Sequence, residues 1–170
     1  MLLREILNLN PLHYKWISPT IGSFEFNNHL FGIVIEESDM ELPTRIVSVA
    51  NISFGVVINT SLPISMTNLD RQPTNFGQPR TVIATVAEAC INNPDLSKND
   101  MFVVAASDQV KHKRIGIYAL AIMDLTSKLP LYKYSYRAST TSGSILVVTS
   151  KIQLSQDETN YIGTELLGKP

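Results

Sequence analysis

Four carboxylates crowd into the six residues Glu36-Glu37-Ser38-Asp39-Met40-Glu41. A calcium loop needs alternating oxygen ligands and a central glycine for its sharp turn. This run has neither, so it reads as a solvated acidic loop ahead of Pro43. His13, His29 and His112 stand in different segments, with no second histidine or cysteine at zinc-ligand spacing, and no metal site is expected. Ser107-Asp108 and His112 could be imagined as parts of a hydrolytic triad, but no nucleophile elbow precedes a helix. Cys90 is the single cysteine, which excludes an intrachain disulfide and a cysteine metal cluster. It falls on an apolar helical stripe, where a thiol packs as a small hydrophobe. Lys111, Lys113 and Arg114 form the one tight basic group and read as a solvated loop. Tyr132, Tyr134 and Tyr136 alternate with Lys133, Ser135 and Arg137. Aromatic rings can stack bases, but strand alternation puts the rings on one face and the cations on the other. Packing on the core or on another subunit is the expected use of the tyrosine face, and nucleic acid is not an expected partner.

These residues have to be positioned by elements, and the best-patterned stretch is 74–128. A helix is predicted over Pro79–Asn92. Proline suits the first helical position, Val82, Val86, Ala89 and Cys90 recur at helical spacing, and Asn93-Pro94 ends the run. Met101–Ala106 is a short unbroken apolar run, as expected of a strand covered on both faces. A second helix over Lys113–Ser127 puts Ile115, Tyr118, Ala119, Ile122 and Leu125 on one side. A tyrosine there reads first as a buried ring donating to a carbonyl.

Upstream, Leu2, Leu3, Ile6 and Leu7 suggest a terminal helix or arm over 1–12. A strand meander is predicted over 21–59, from Ile21–Asn27, His29–Glu36, Ile46–Ala50 and Ile52–Asn59, with Asn27-Asn28 as a tight hairpin turn. Downstream, Leu131–Ala138 and Ile145–Ser150 read as an antiparallel pair around the turn Thr140–Ser144. The polar tail 155–170 is weakly patterned, extended or partly helical. No repeat or linker divides the chain, so 1–170 is predicted as one domain with its core in 74–150. The expected fold class is α/β (α+β), a mostly antiparallel sheet around the central strand Met101–Ala106.

The 170 residues suffice for one core, and an apolar fraction of 44% with 17% charged residues is that of a globular chain. A net charge of −1 supplies no field to draw the chain to nucleic acid or anionic lipid. Arg4 and Glu5 interrupt the first leucines, so no signal peptide is expected. No run approaches the roughly 20 apolar residues that span a bilayer. A chain that is neither secreted nor membrane-spanning is the expectation.

A meander followed by a strand–helix–strand–helix–strand unit resembles the GNAT-type N-acetyltransferase fold in the second half of the chain. The resemblance implies that the loop Asn75-Phe76-Gly77-Gln78-Pro79-Arg80 matches the family's pyrophosphate loop. Gly77, Gln78 and Arg80 would then bind acetyl-CoA, and Tyr118 in RIGIY would be the general acid. Backbone N–H groups and the helix dipole attract phosphate at such a place. The loop departs from the family pattern: it has one glycine, bulky Phe76 beside it, and Pro79 without an N–H. No carboxylate stands ready as the amine-deprotonating base. An open cleft between Val103 and the strand Leu131–Ala138, near Gly77, would favour catalysis.

The run GQPRTVIATVAEAC with the later KRIGIYALAIMDL also resembles a group of small uncharacterised proteins of tailed bacteriophages. That resemblance implies a non-catalytic structural or accessory protein without cofactor, in the host cytoplasm during assembly or in the virion. It would work through protein–protein contacts or self-assembly by the N-terminal helix, the tyrosine strand and the polar tail. The alternative is an acyl-CoA-dependent N-acetyltransferase.

Overall fold

The computed structural model describes residues 12–70, 79–106, 132–139 and 145–167. The first strand, β1 (Tyr14–Ser18), pairs antiparallel with β2 (Ile21–Phe26), and β2 pairs antiparallel with β3 (His29–Glu41). Asn27 and Asn28 both take positive φ, 50° and 64°. Two left-handed residues make the hairpin turn whose twist matches the flanking strands, and asparagine tolerates that region. The expected turn is therefore present.

Two expectations about the meander are corrected. The acidic stretch is strand, not loop: β3 runs on to Glu41 because every residue from Phe31 to Glu41 has a partner on β4 (Ile46–Val57). The segment 46–57 is likewise one strand, since pairing with β3 passes through Asn51 without a break. The meander has four strands, as expected, but its first member is β1, and the two segments read as separate strands are one. The signal for β1 was the alternation of Tyr14, Trp16 and Ser18 with Lys15 and Ile17.

After β4 the chain forms a loop, a 3-10 turn at Met66–Asn68, and the two-residue β5 (Leu69–Asp70) beside the end of β4. Helix α1 (Pro79–Ile91) follows as predicted, then a 3-10 turn at Leu96–Lys98 and β6 (Met101–Ala106). The chain closes with β7 (Tyr134–Ser139), β8 (Ile145–Ser150) and α2 (Gln156–Leu167). The sheet order is β1-β2-β3-β4-β6-β8-β7, mixed α/β and mostly antiparallel, with β4 and β6 as its parallel pair. The predicted N-terminal helix, the turn Thr140–Ser144 and the helix Lys113–Ser127 with Tyr118 lie outside the described residues.

Strand alternation divides the core in two. On one face, Val82, Val86, Ala87, Ala89 and Cys90 of α1 pack with Phe31, Ile33, Ile35, Ala50, Ile52, Phe102 and Val104. On the other, Ile162 and Leu166 of α2 pack with Val47, Val49, Met101, Val103 and Val148. The tail is thus a helix docked on its own sheet. A Ser155–Glu158 capping box starts it: the Ser155 N–H donates to Glu158 Oε1 at 3.0 Å, and the Glu158 N–H donates to Ser155 Oγ at 3.1 Å. Arg45 from the β3–β4 turn then grips Glu158 through Nε at 3.0 Å and Nη2 at 3.1 Å.

Tyr132 does not share the tyrosine face predicted for it. It precedes β7 and is buried beside Phe102 on the α1 side, whereas Tyr136 packs on the α2 side. The chain turns between them because the Tyr132 hydroxyl is drawn to two carbonyls of the 3-10 turn, Leu96 O at 2.7 Å and Asn99 O at 2.8 Å. Tyr134 and Tyr136 remain stacked on β7, their ring centroids 6.5 Å apart.

Candidate functional site

The parallel pair at the middle of the sheet is the place where the fold departs from a closed ladder. Its beginning is tightly held. The Ser48 N–H donates to Asp100 Oδ2 at 2.9 Å, and the Asp100 N–H reaches Ser48 O at 3.0 Å and Ser48 Oγ at 2.8 Å. Pairing then runs from Val49↔Met101 to Ile52↔Val104 and stops, although β4 continues to Val57 and β6 to Ala106. The edge that β6 relinquishes is taken up again by β5, at Val56↔Asp70, and the Ile58 N–H donates to Asn68 O at 3.0 Å. Ser48 and Ile58 bond toward this same side, so the alternation of backbone groups aims the N–H and C=O of Phe54 there too.

Helix α1 is the crossover between the two parallel strands. A crossover helix runs antiparallel to the strands it joins, so its first turn lies at the end where β4 and β6 part. Pro79 is its first residue and brings no N–H; Arg80 and Thr81 supply the first ones. The other end of α1 is pinned to the first hairpin. The indole N–H of Trp16 donates to Ala89 O at 3.1 Å, and Asn92 Nδ2 donates to the Tyr14 hydroxyl at 2.7 Å. Trp16 thereby satisfies a last-turn carbonyl that has no intrahelical partner.

Of the residues assigned to coenzyme binding from the sequence, Arg80 has its backbone in the first turn of α1, while Gly77 and Gln78 lie outside the described residues. Tyr118, the assigned acid, lies outside them as well. The gap between Val103 and β7, where an open cleft would have favoured catalysis, is filled by β8, paired with β6 from Met101↔Ser150 to Ala106↔Ile145. Among the described residues, it is on the other side of β6 that the ladder stops, beyond Ile52↔Val104.

Among the described residues, three titratable groups with displaced pKa values are tied to the packing of the fold. Burial pushes the Cys90 thiol up to about 12, which keeps it protonated and unreactive. Burial also raises the Tyr132 phenol, whose hydroxyl bridges two carbonyls. The Ser155 N–H, and after it Arg45, hold Glu158 below the ordinary carboxylate range against an opposing effect of burial. The acidic run is split by strand alternation: Glu37, Asp39 and Glu41 project to one face of β3 and Glu36 to the other. Asn99 Nδ2 donates to Glu37 Oε2 at 3.0 Å. Among the described residues no three histidine, cysteine or acidic side chains are grouped to hold a metal ion. No described helix is long and apolar enough to cross a membrane.

No protein-family model matches the chain, and no significant match exists among the curated proteins or the solved structures.

Proposed function

We propose that the chain handles an acyl-CoA in the manner of the GNAT-type N-acetyltransferases, the reading that the order of elements in its sequence suggests. The observation that carries this reading is the parting of β4 and β6 after Ile52↔Val104, at the end of the sheet where α1 begins. A sheet opened between two parallel strands can admit an extended ligand arm edge-on. The start of a crossover helix at the same end offers N–H groups to its phosphates. In this reading Gly77, Gln78 and Arg80 receive the pyrophosphate and Tyr118 donates a proton to the departing sulfur. Acetyl-CoA would supply the activated acetyl group. Pro79 reduces the number of N–H donors at the helix start, so the Arg80 guanidinium carries more of the phosphate binding than in a glycine-rich loop. Calorimetry with acetyl-CoA tests this: binding at about micromolar Kd is expected, and no heat at millimolar ligand refutes it.

A second reading, a bacteriophage structural or accessory protein acting through protein contacts, is favoured by a different observation. The edge strand β1 presents Ile17 at 59% exposure, and Ile58 and Leu62 beyond β4 stand at 65% and 57%. Exposed aliphatic side chains of this kind suit a protein interface. Of the surfaces expected to make such contacts, Tyr132 is buried and α2 is docked, while Tyr134 and Tyr136 stay half-buried on β7. Light scattering at working concentration should show self-association if this reading holds, and a monomer with no co-purifying partner counts against it.

A further inference from the structure

A groove of about 310 Å³ lies on the sheet face opposite α1, between the β1–β2 turn and the loop that follows β4. Its apolar walls are Ile21, Val34, Ile64 and Met66, and among the described residues Glu36 is the one ionisable residue lining it. We propose that this groove binds a small organic cation, an amine with a compact apolar body, with its ammonium on the Glu36 carboxylate.

The wall is built rather than incidental. Asn68 is buried and ties the loop shut: its Oδ1 accepts from the Asn59 N–H at 2.9 Å, and its Nδ2 donates to Asn59 O at 2.9 Å and Pro63 O at 3.0 Å. The loop is pressed onto β3 at Gly32, where a Cβ would come within 2.6 Å of Ile64 Cγ2 and 2.8 Å of Leu69 Cδ2. Only glycine lets the loop sit this low, and that close seating sets the depth of the groove beside Val34. A pre-formed concave wall lowers the ordering cost of binding.

Charge selects the ligand. Glu36 sits on the groove side of β3 while its acidic neighbours Glu37, Asp39 and Glu41 project to the other face. Among the described residues its carboxylate has no partner and no cation lines the groove. The remaining polar lining is neutral, the hydroxyls of Thr20, Ser65 and Thr67. A single carboxylate on the lining of a largely apolar groove complements a cation with a hydrophobic body and repels an anion.

This inference does not rest on the acyl-CoA reading, and its test needs no coenzyme. The folded full chain is titrated with benzylamine at neutral pH while the methyl resonances of Met66, Ile21 and Ile64 are followed by NMR. Saturable shifts with a Kd of about millimolar are expected, as befits a fragment-sized ligand. Benzyl alcohol and Glu36→Gln should each weaken binding by roughly threefold to tenfold, the contribution of a charge-assisted contact at a half-wet site. Glu36 is exposed on a strand, so the variant folds, and an unchanged spectrum away from the groove verifies it. No saturable shift, equal affinity for benzyl alcohol, or unaltered binding in Glu36→Gln would each overturn the proposal.

Discussion

The clamp on α2 permits a prediction that separates its two components. Glu158 serves the helix twice, as the acceptor of a capping box with Ser155 and as the partner of Arg45, which also donates to Gln153 O at 2.6 Å. A cap contributes about 1 kcal/mol. The Glu158 side chain is 10% exposed but that of Arg45 is 40% exposed, so solvent screens the ion pair and it should contribute less than about 1 kcal/mol. Glutamine can still accept the Ser155 N–H but cannot pair with Arg45. Glu158→Gln should therefore cost only the ionic part, under about 1 kcal/mol, and Glu158→Ala about 2 kcal/mol. A double-mutant cycle of Arg45→Met with Glu158→Gln should return a coupling of about 0.5–1 kcal/mol. The sign of the pH dependence follows from the lowered pKa. Stability from Glu158 is fully present above the ordinary glutamate pKa and is lost as pH falls through the depressed folded value. Urea unfolding of wild type and Glu158→Gln should thus differ at neutral pH and converge in acid. A gap that persists in acid, a glutamine variant as damaging as alanine, or zero coupling would refute the assignment.

Three other outcomes are expected. The Thr149 hydroxyl is fully buried without a hydrogen-bond partner, so Thr149→Val should raise stability by about 1 kcal/mol in urea unfolding; an unchanged or lower midpoint contradicts this. Tyr132→Phe removes the donor shared by Leu96 O and Asn99 O and should lower stability by about 1–3 kcal/mol, whereas a neutral substitution would show that the hydroxyl does not hold the turn. Cys90, with its thiol raised to about 12 by burial, should resist a thiol reagent at pH 8 in native buffer and react in urea. Rapid labelling of the folded chain would place it at the surface.

Legibility in the sequence tracked how local the deciding interaction was. Asn27-Asn28 could be read as a turn because the left-handed backbone it needs is a property of those two residues. Helix α1 and strand β6 were readable because periodicity and Pro79 and Pro94 mark them without outside help. The acidic stretch misled because four carboxylates suggest solvation, while the pairing that makes them strand comes from β4, a different segment of the chain. Helix α2 was obscured by its polar composition. Its apolar contacts are few, Ile162 and Leu166, and the Arg45 grip that secures it arrives from more than 100 residues upstream.

The candidate site divides the same way. A single cysteine on an apolar stripe was enough to set aside an intrachain disulfide, a cysteine metal cluster and a nucleophilic thiol. Where the sheet opens could not be read locally, since it depends on which strand lies next to β6. Pairing places β8 against β6 and fills the gap beside Val103, and among the described residues the ladder parts between β4 and β6. Composition and periodicity therefore determined α1, β6 and the Asn27-Asn28 hairpin, the elements whose signals are local. Strand adjacency, the seating of the loop on Gly32 and the turn of Tyr132 into the core were decided by contacts between distant segments, which only the folded chain brings together.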